Sequence, residues 1–250
     1  MPLLELSSLS KRFGGLKALD DVSMSIEPGQ IFSVIGPNGA GKTTLYNVVT
    51  GFLSVSGGVV RFKGQDITRS PVHQRVRMGM ARTFQNIRLF KDMTVLENVM
   101  AGQHTRARSG YNSILPFNRA NERQLQARAT ELLELLGIAA DARRLSGDLA
   151  YGVQKKVELA RALAAEPDIL MLDEPRAGLN PHETDAIANE IKAVRDRGVT
   201  VLLVEHDMRM VMGISDRVCV LNFGKKIAEG SPTEIQSNPE VIEAYLGRDE

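Results

Sequence analysis

The chain has almost no sulfur chemistry to offer: one cysteine in 250 residues, and no tryptophan. That cysteine, Cys219, sits in Val218-Cys219-Val220-Leu221, a strand-like run, and reads as an inert core thiol rather than a nucleophile. An excess of either charge is also missing. With 31 Lys plus Arg against 30 Asp plus Glu, no global field exists to gather nucleic acid or a membrane surface. The longest strand-like apolar run, Val199 to Val204, falls far short of the ~18 residues of a spanning helix. Met1-Pro2-Leu3-Leu4-Glu5 lacks the basic-then-apolar order of a secretory signal. There are no internal repeats, low-complexity stretches or sustained heptads. These absences predict a soluble, cytosolic protein able to dock on a membrane partner, with an ordinary 43% apolar fraction and enough length to bury a substantial core.

What the chain does contain is a phosphate-binding loop. Gly36-Pro37-Asn38-Gly39-Ala40-Gly41-Lys42-Thr43-Thr44 follows the apolar run Ile31 to Ile35 and precedes a helix-like segment through Val49. Glycines let the backbone curl until successive N–H groups point at phosphate oxygens, and the helix N-terminus adds partial positive charge. Lys42 is placed to reach the β- and γ-phosphates, and the Thr43 hydroxyl to ligate Mg²⁺. A Gly-rich structural turn would account for the glycines but not for Lys-Thr at this offset. A second acidic element completes the chemistry. Ile169-Leu170-Met171-Leu172 runs straight into Asp173-Glu174-Pro175, which places two carboxylates at the end of a buried strand, where parallel sheets bind ligands. Asp173 is expected to hold Mg²⁺ through water and Glu174 to polarise the attacking water. The pair points to hydrolysis of a nucleoside triphosphate, not binding alone.

Periodicity supplies the frame. Leu4, Leu6 and Leu9 nearly keep strand period; Val22, Met24 and Ile26 keep it fully before Pro28-Gly29; Val59 to Phe62 adds another short strand. From about Asn86 to Leu149 helices and polar loops take over, and Leu125, Ala129, Leu132, Leu133 and Leu136 share one helical face ended by Gly137. Beyond Lys155 helices alternate with continuous apolar strands, the mark of a parallel sheet covered on both faces. The predicted fold is α/β: a P-loop NTPase core with a mainly parallel sheet, an N-terminal antiparallel β subdomain and an inserted helical subdomain. The chain reads as one ATPase domain over 1–250, its core about 1–85 and 155–250 and the helical insertion about 86–154.

These motifs, in this order, resemble the ATP-binding subunit of an ABC transporter over essentially the whole chain. The resemblance implies further roles. Phe13, in Lys11-Arg12-Phe13-Gly14, falls where the family stacks an aromatic on adenine; alone it would read as core. Gln85, in Thr83-Phe84-Gln85-Asn86, matches the glutamine that touches Mg²⁺ and reports nucleotide state to the membrane partner. His206 matches the switch histidine on the γ-phosphate. Leu149-Ala150-Tyr151-Gly152-Val153-Gln154 takes the place of the signature motif ahead of a helix beginning near Lys155, and Ala177-Gly178-Leu179-Asn180 that of the D-loop. In the family Ala150, Gly152 and Asn180 would face the ATP of an opposing subunit. The cofactors implied are ATP and Mg²⁺.

The Leu-Ala-Tyr-Gly form, the run Asn86 to Val99 and the polar stretch His104 to Arg123 are similar to the subgroup that imports branched-chain amino acids. Val153 and Arg176 depart from that subgroup, which usually has glutamine and a small residue there; Arg176, after Pro175, could crowd or electrostatically tune the subunit interface, but is expected to be exposed and harmless. Ala150 and Val153 lack the side-chain donors of a fuller signature, so a paralogous second ATPase subunit is expected as partner. Two membrane permeases and an extracytoplasmic solute-binding protein complete the assembly implied, with this chain peripheral on the cytoplasmic face of the inner membrane and no nucleic acid involved. Residues 85–94, with Ile87, Leu89 and Phe90 as apolar anchors, are expected to receive a permease helix. Lipid or lipopolysaccharide export and a soluble, non-transport ABC ATPase stay open as alternatives. A P-loop kinase would leave the signature and His206 without purpose.

Overall fold

The computed structural model describes residues 1–84, 87–103 and 119–246, with the side chains of 119–121 and 246 excepted. Gln85, Asn86 and most of the polar stretch that begins at His104 lie outside the described residues.

Two sheets carry the structure. The first is antiparallel, in the order β2 (Leu16–Ile26), β1 (Leu4–Phe13), β4 (Gly57–Phe62), β5 (Gln65–Asp66). The imperfect alternation of Leu4, Leu6 and Leu9 has a physical cause. The β1–β2 register shifts between Leu6 and Leu9, and Ser8 takes a positive φ of 49°, so one extra residue is absorbed and all three leucines still face inward. The second sheet runs β10 (Lys225–Gly230), β9 (Arg217–Asn222), β3 (Ile31–Ile35), β8 (Thr200–Val204), β7 (Ile169–Asp173), β6 (Met80–Arg82). It is parallel from β9 to β6, with only β10 antiparallel at its edge. Its continuous apolar strands are buried on both faces: Ile31 and Ile35 join one core, Phe32 and Val34 the other. Cys219 belongs to the second of these cores, and burial pushes its thiol up to about 12, as an inert core position requires.

Nine α-helices occur among the described residues: α1 (Lys42–Val49), α2 (Val72–Arg77), α3 (Val95–Gly102), α4 (Arg119–Leu135), α5 (Tyr151–Leu163), α6 (Pro181–Asp196), α7 (Met208–Ile214), α8 (Pro232–Gln236) and α9 (Pro239–Leu246). Helix α4 ends as its glycine predicts. Gly137 is left-handed, at φ 65°, and Ile138 N–H reaches back to the Leu133 carbonyl. Thr94 and Glu97 form a reciprocal capping box that starts α3, a signal legible in Thr94-Val95-Leu96-Glu97 but not read as one. Helix α5 starts at Tyr151, four residues earlier than expected, with Ala150 as its N-cap residue. The boundary placed at 154/155 therefore falls inside a continuous helix. Helices α3, α4 and α5 pack on one another, and their core (Val95, Val99, Leu133, Val157) runs without a break into one face of the large sheet.

Behind α1 lies a buried cation with an unusual set of partners. Arg75, in α2, is 2% exposed and donates to five backbone carbonyls: Val48, Val49, Ile67, Thr68 and Ser70. Val48 and Val49 are the last residues of α1, so the guanidinium closes the carbonyl end of the helix whose other end is the P-loop.

Candidate functional site

The strand order of the large sheet assembles the site. β3, β8 and β7 are neighbours, and their carboxyl ends stand level: Val34 pairs with Val204 and Asp173 with Val204. Those ends lead into the P-loop, into Glu205-His206-Asp207 and, from Asp173 as the last residue of β7, into Glu174, in that order across the sheet. Residues from opposite ends of the sequence thus meet at one edge, the crevice such sheets use for ligands.

The P-loop fits its glycines for stated reasons. A Cβ on Gly36 would come within 2.1 Å of the Leu221 carbonyl oxygen, and one on Gly41 within 2.5 Å of that of Ala18. Gly41 precedes α1 with φ 102° and no side chain caps the helix, so its first amides are left for an anion. Lys42 is buried, and its Nζ donates to the Gly36 and Pro37 carbonyls at 2.7 and 3.0 Å. Burial holds its ammonium below the ordinary value against the pull of Glu174, Asp173 and Glu205. Thr43, Asn38 and Gly39 are exposed, Pro37 and Thr44 half-buried and Ala40 buried.

Asp173 is buried at the end of β7, and burial together with the adjacent Glu174 carboxylate pushes it up to about 6, with Arg82 and Lys42 pulling the other way. Glu174 turns away from the strand with φ 47°, a left-handed conformation rare for a residue with a Cβ, and its N–H donates to the Val204 carbonyl at 2.9 Å. His206 is exposed, its Nδ1 3.5 Å from Glu174 Oε1. Among the described residues no group of three or more His, Cys, Asp or Glu converges as a metal site of its own. Thr43 and Asp173 supply hard oxygen donors, which suits a Mg²⁺ shared with substrate phosphates rather than caged by protein.

The raised Asp173 carboxyl has a testable consequence. Because its folded value exceeds the ordinary 3.8, the stability it contributes is fully present below that value and is lost as pH rises through about 6. Asp173→Asn, which carries no charge at any pH, should therefore exceed wild type in nucleotide-free stability at pH 8 by up to about 3 kcal/mol, less to the extent that water screens the carboxylate. The gap should close toward pH 4. Urea unfolding of both proteins across this range decides it, and a pH-independent difference would refute the electrostatic origin.

Several functional contacts were not legible in the sequence. The Tyr46 hydroxyl, on α1, donates to the Thr83 and Met171 carbonyls at 2.8 and 3.1 Å, tying the P-loop helix to β7 and to the segment that leads toward Gln85. Arg82 lies over the rings of Phe52, Phe84 and Tyr46 at 4.3, 4.4 and 4.7 Å. Glu205 is fully buried, and its carboxylate accepts the N–H groups of Arg176 and His206 at 3.1 and 3.0 Å. Burial raises its carboxyl, opposed by those backbone bonds.

The remaining expected site residues divide. Phe13 is exposed at the tip of the β1–β2 hairpin, with Lys11 Nζ 5.1 Å from its ring centre, so it is not core. Gln85 lies outside the described residues. Ala150 is exposed and Gly152 sits in the first turn of α5. Tyr151 lies against Gly178, and a Cβ on Gly152 would meet Glu183, so the signature and the D-loop touch within one chain. The Asn180 side chain accepts Glu183 N–H and caps α6. Val153 packs against the helical core, and Gln154 donates to the Leu149 carbonyl at 2.8 Å. Phe90 is exposed, but Leu89 packs partly into the core, so not all three expected anchors stand free. Arg176 corrects its expectation: it is half-buried and ion-paired with Asp207. A guanidinium held between two loops of the site is not a solvated surface charge.

Comparison with known proteins agrees with this geometry. Residues 19–177 match the ABC transporter family, and residues 225–250 match a family described as branched-chain amino acid ATP-binding cassette transporter. The chain is 48% identical to the high-affinity branched-chain amino acid transport ATP-binding protein BraF of Pseudomonas aeruginosa, with 98% of each chain covered. To the corresponding protein LivG of Escherichia coli it is 47% identical, again over 98% of each. Two solved structures of an ABC transporter's ATP-binding cassette, one nucleotide-free and one in the ADP conformation, superpose with TM-scores of 0.86 and 0.87 at 36% identity, covering 99% of this chain and all of theirs. The sheet that brings a P-loop beside two carboxylates and a histidine is thus the ATPase core of a known family, and this chain belongs to the ABC transporter ATP-binding proteins.

Proposed function

We propose that the chain hydrolyses ATP to energise an importer of branched-chain or related amino acids. The observation that carries the chemistry is the level ending of β3, β8 and β7, which sets the P-loop, His206 and Glu174 side by side. The substrate class rests on the full-length likeness to BraF and LivG. In this reading Phe13 stacks on adenine and residues 36–44 cradle the phosphates. Lys42 leaves its carbonyl partners for the β- and γ-phosphates. Thr43 and Asp173 would hold Mg²⁺, which neutralises phosphate charge when bound; Gln85 is assigned beside it from the motif alone. Glu174 takes a proton from the attacking water as the bond to the γ-phosphorus forms and ADP departs, while His206 contacts the γ-phosphate. Ala150, Gly152 and Asn180 face the ATP of a second subunit, proposed to be a paralogue. The helical segment, about 86–154, is read as an insertion in a core of about 1–85 and 155–250.

Among the described residues no helix is long and apolar enough to cross a membrane, and in this proposal two permeases do so, supplied by an extracytoplasmic binding protein, with the chain peripheral on the cytoplasmic face. Vesicles reconstituted with the permeases, both ATPase subunits and the binding protein should take up radiolabelled leucine or valine only with ATP. Phe90→Asp, at an exposed position, should abolish uptake while nucleotide affinity stays within about twofold, since one charge there leaves the P-loop contacts intact. ATP-driven movement of lipid instead of amino acid would overturn the substrate class.

A further inference from the structure

Two loops carry the groups assigned to hydrolysis: one leaves β7 with Glu174, the other leaves β8 with His206. Neither strand fixes its loop beyond the last ladder bond. Glu174 N–H meets the Val204 carbonyl, Glu205 N–H meets the Val34 carbonyl at 3.3 Å, and the chain then runs free of the sheet. The Glu205 and Arg176 side chains bridge the gap. Glu205 takes Arg176 N–H on one oxygen and His206 and Asp207 N–H, at 3.0 and 3.4 Å, on the other. The Arg176 guanidinium pairs with Asp207 Oδ2, while Asp207 Oδ1 accepts Met210 N–H at 2.7 Å and starts α7.

We propose that Arg176 is a positioning residue for hydrolysis: its ion pair with Asp207 fixes the segment carrying His206 against the segment carrying Glu174. This rests on the assignment of Glu174 and His206 given above. The two bridges are chemically distinct. Glu205 binds the backbone amide of residue 176 and survives any replacement of the side chain there except proline, which lacks the N–H. The ion pair needs a cation long enough to reach across from Pro175. It is also partly sheltered, with the Arg176 and Asp207 side chains 33% and 20% exposed, so solvent screens it less than a surface pair. Asp207 immediately follows His206, and its other oxygen is committed to α7, so pulling on Oδ2 sets the direction from which the histidine leaves the sheet. With that tether, His206 Nδ1 lies 3.5 Å from Glu174 Oε1.

The test is steady-state ATP hydrolysis by the full assembly with permeases and second subunit. Arg176→Ala should lower kcat roughly tenfold, as expected when catalytic groups lose alignment, with KM for ATP changed less than about twofold. Asp207→Asn, which keeps the oxygen that caps α7, should do the same. The double variant should be no slower than either single one, because both remove one interaction. Arg176→Lys should recover most of the rate. Wild-type kcat in Arg176→Ala, or losses that multiply in the double variant, would overturn the proposal. If Arg176→Ala does not fold, Asp207→Asn and Arg176→Lys carry the comparison. Glu174→Gln run in parallel separates the two failures: its inactivity beside a fully active Arg176→Ala removes only the tether, whereas its full activity removes the site assignment and the tether with it.

Discussion

Replacing Glu174 by glutamine should reduce ATP hydrolysis by on the order of 10²- to 10³-fold while ATP still binds. The amide has almost the same shape and can still orient a water, but it has no basic lone pair to accept the proton released as the water attacks. Binding should survive because the phosphate contacts assigned here come from the P-loop, from Lys42 and from the uncapped start of α1, none of which the substitution removes. The backbone at 174 keeps its bond to Val204 whatever side chain it bears. With turnover blocked, the ATP-bound pair of subunits should accumulate. Single-turnover hydrolysis with equilibrium nucleotide binding checks the first half, and size-exclusion chromatography in ATP the second. Hydrolysis at the wild-type rate would sink the assignment of Glu174 as base.

The second large effect is on stability. Arg75→Ala should cost about 3 kcal/mol or more, because it strips a charged donor from five carbonyls in a place water reaches poorly. In a chain of 250 residues that corresponds to a fall in Tm of roughly 6 °C or more. Lysine should recover only part of it, since one ammonium cannot reproduce the planar fork that serves Ser70, Ile67 and the end of α1 together. Burial holds this guanidinium below its ordinary value, but an arginine stays charged all the same, so removing its bonds to the carbonyls is what the substitution costs. Urea and thermal unfolding of the three proteins decide the matter. An unchanged midpoint for alanine would mean that the carbonyls find water.

What the sequence revealed and what it hid follow one physical division. Contiguous chemistry was legible. The P-loop is nine residues in a row, Asp173 and Glu174 close an apolar run, and Gly137 ends a helix through its own backbone preference. Contacts that depend on which strand lies next to which were not. Tyr46 reaches a carbonyl 125 residues away, and Arg176 pairs with a carboxylate 31 residues on. Both pairings follow from the β3-β8-β7 order, which no local period encodes. Residue type alone read Arg176 as a solvated surface charge, the usual fate of an arginine in a loop. The early start of α5 was hidden for a related reason. Gly152 lowers helix propensity, yet its first turn lies against Gly178 and Glu183, where packing outweighs that preference.

The left-handed backbone of Glu174 sets two kinds of selection against each other. A side chain with a Cβ held at φ 47° costs on the order of 1 kcal/mol, and the only residue that escapes the cost entirely is glycine. Glycine there would leave the loop relaxed and, on the role proposed for Glu174, the water without its base. A lineage drifting under pressure for thermal robustness alone would be drawn toward that substitution, whereas one under pressure for uptake must carry the strain in every generation. Position 174 is therefore where loss of transport could pass, for a while, as an improvement of the fold.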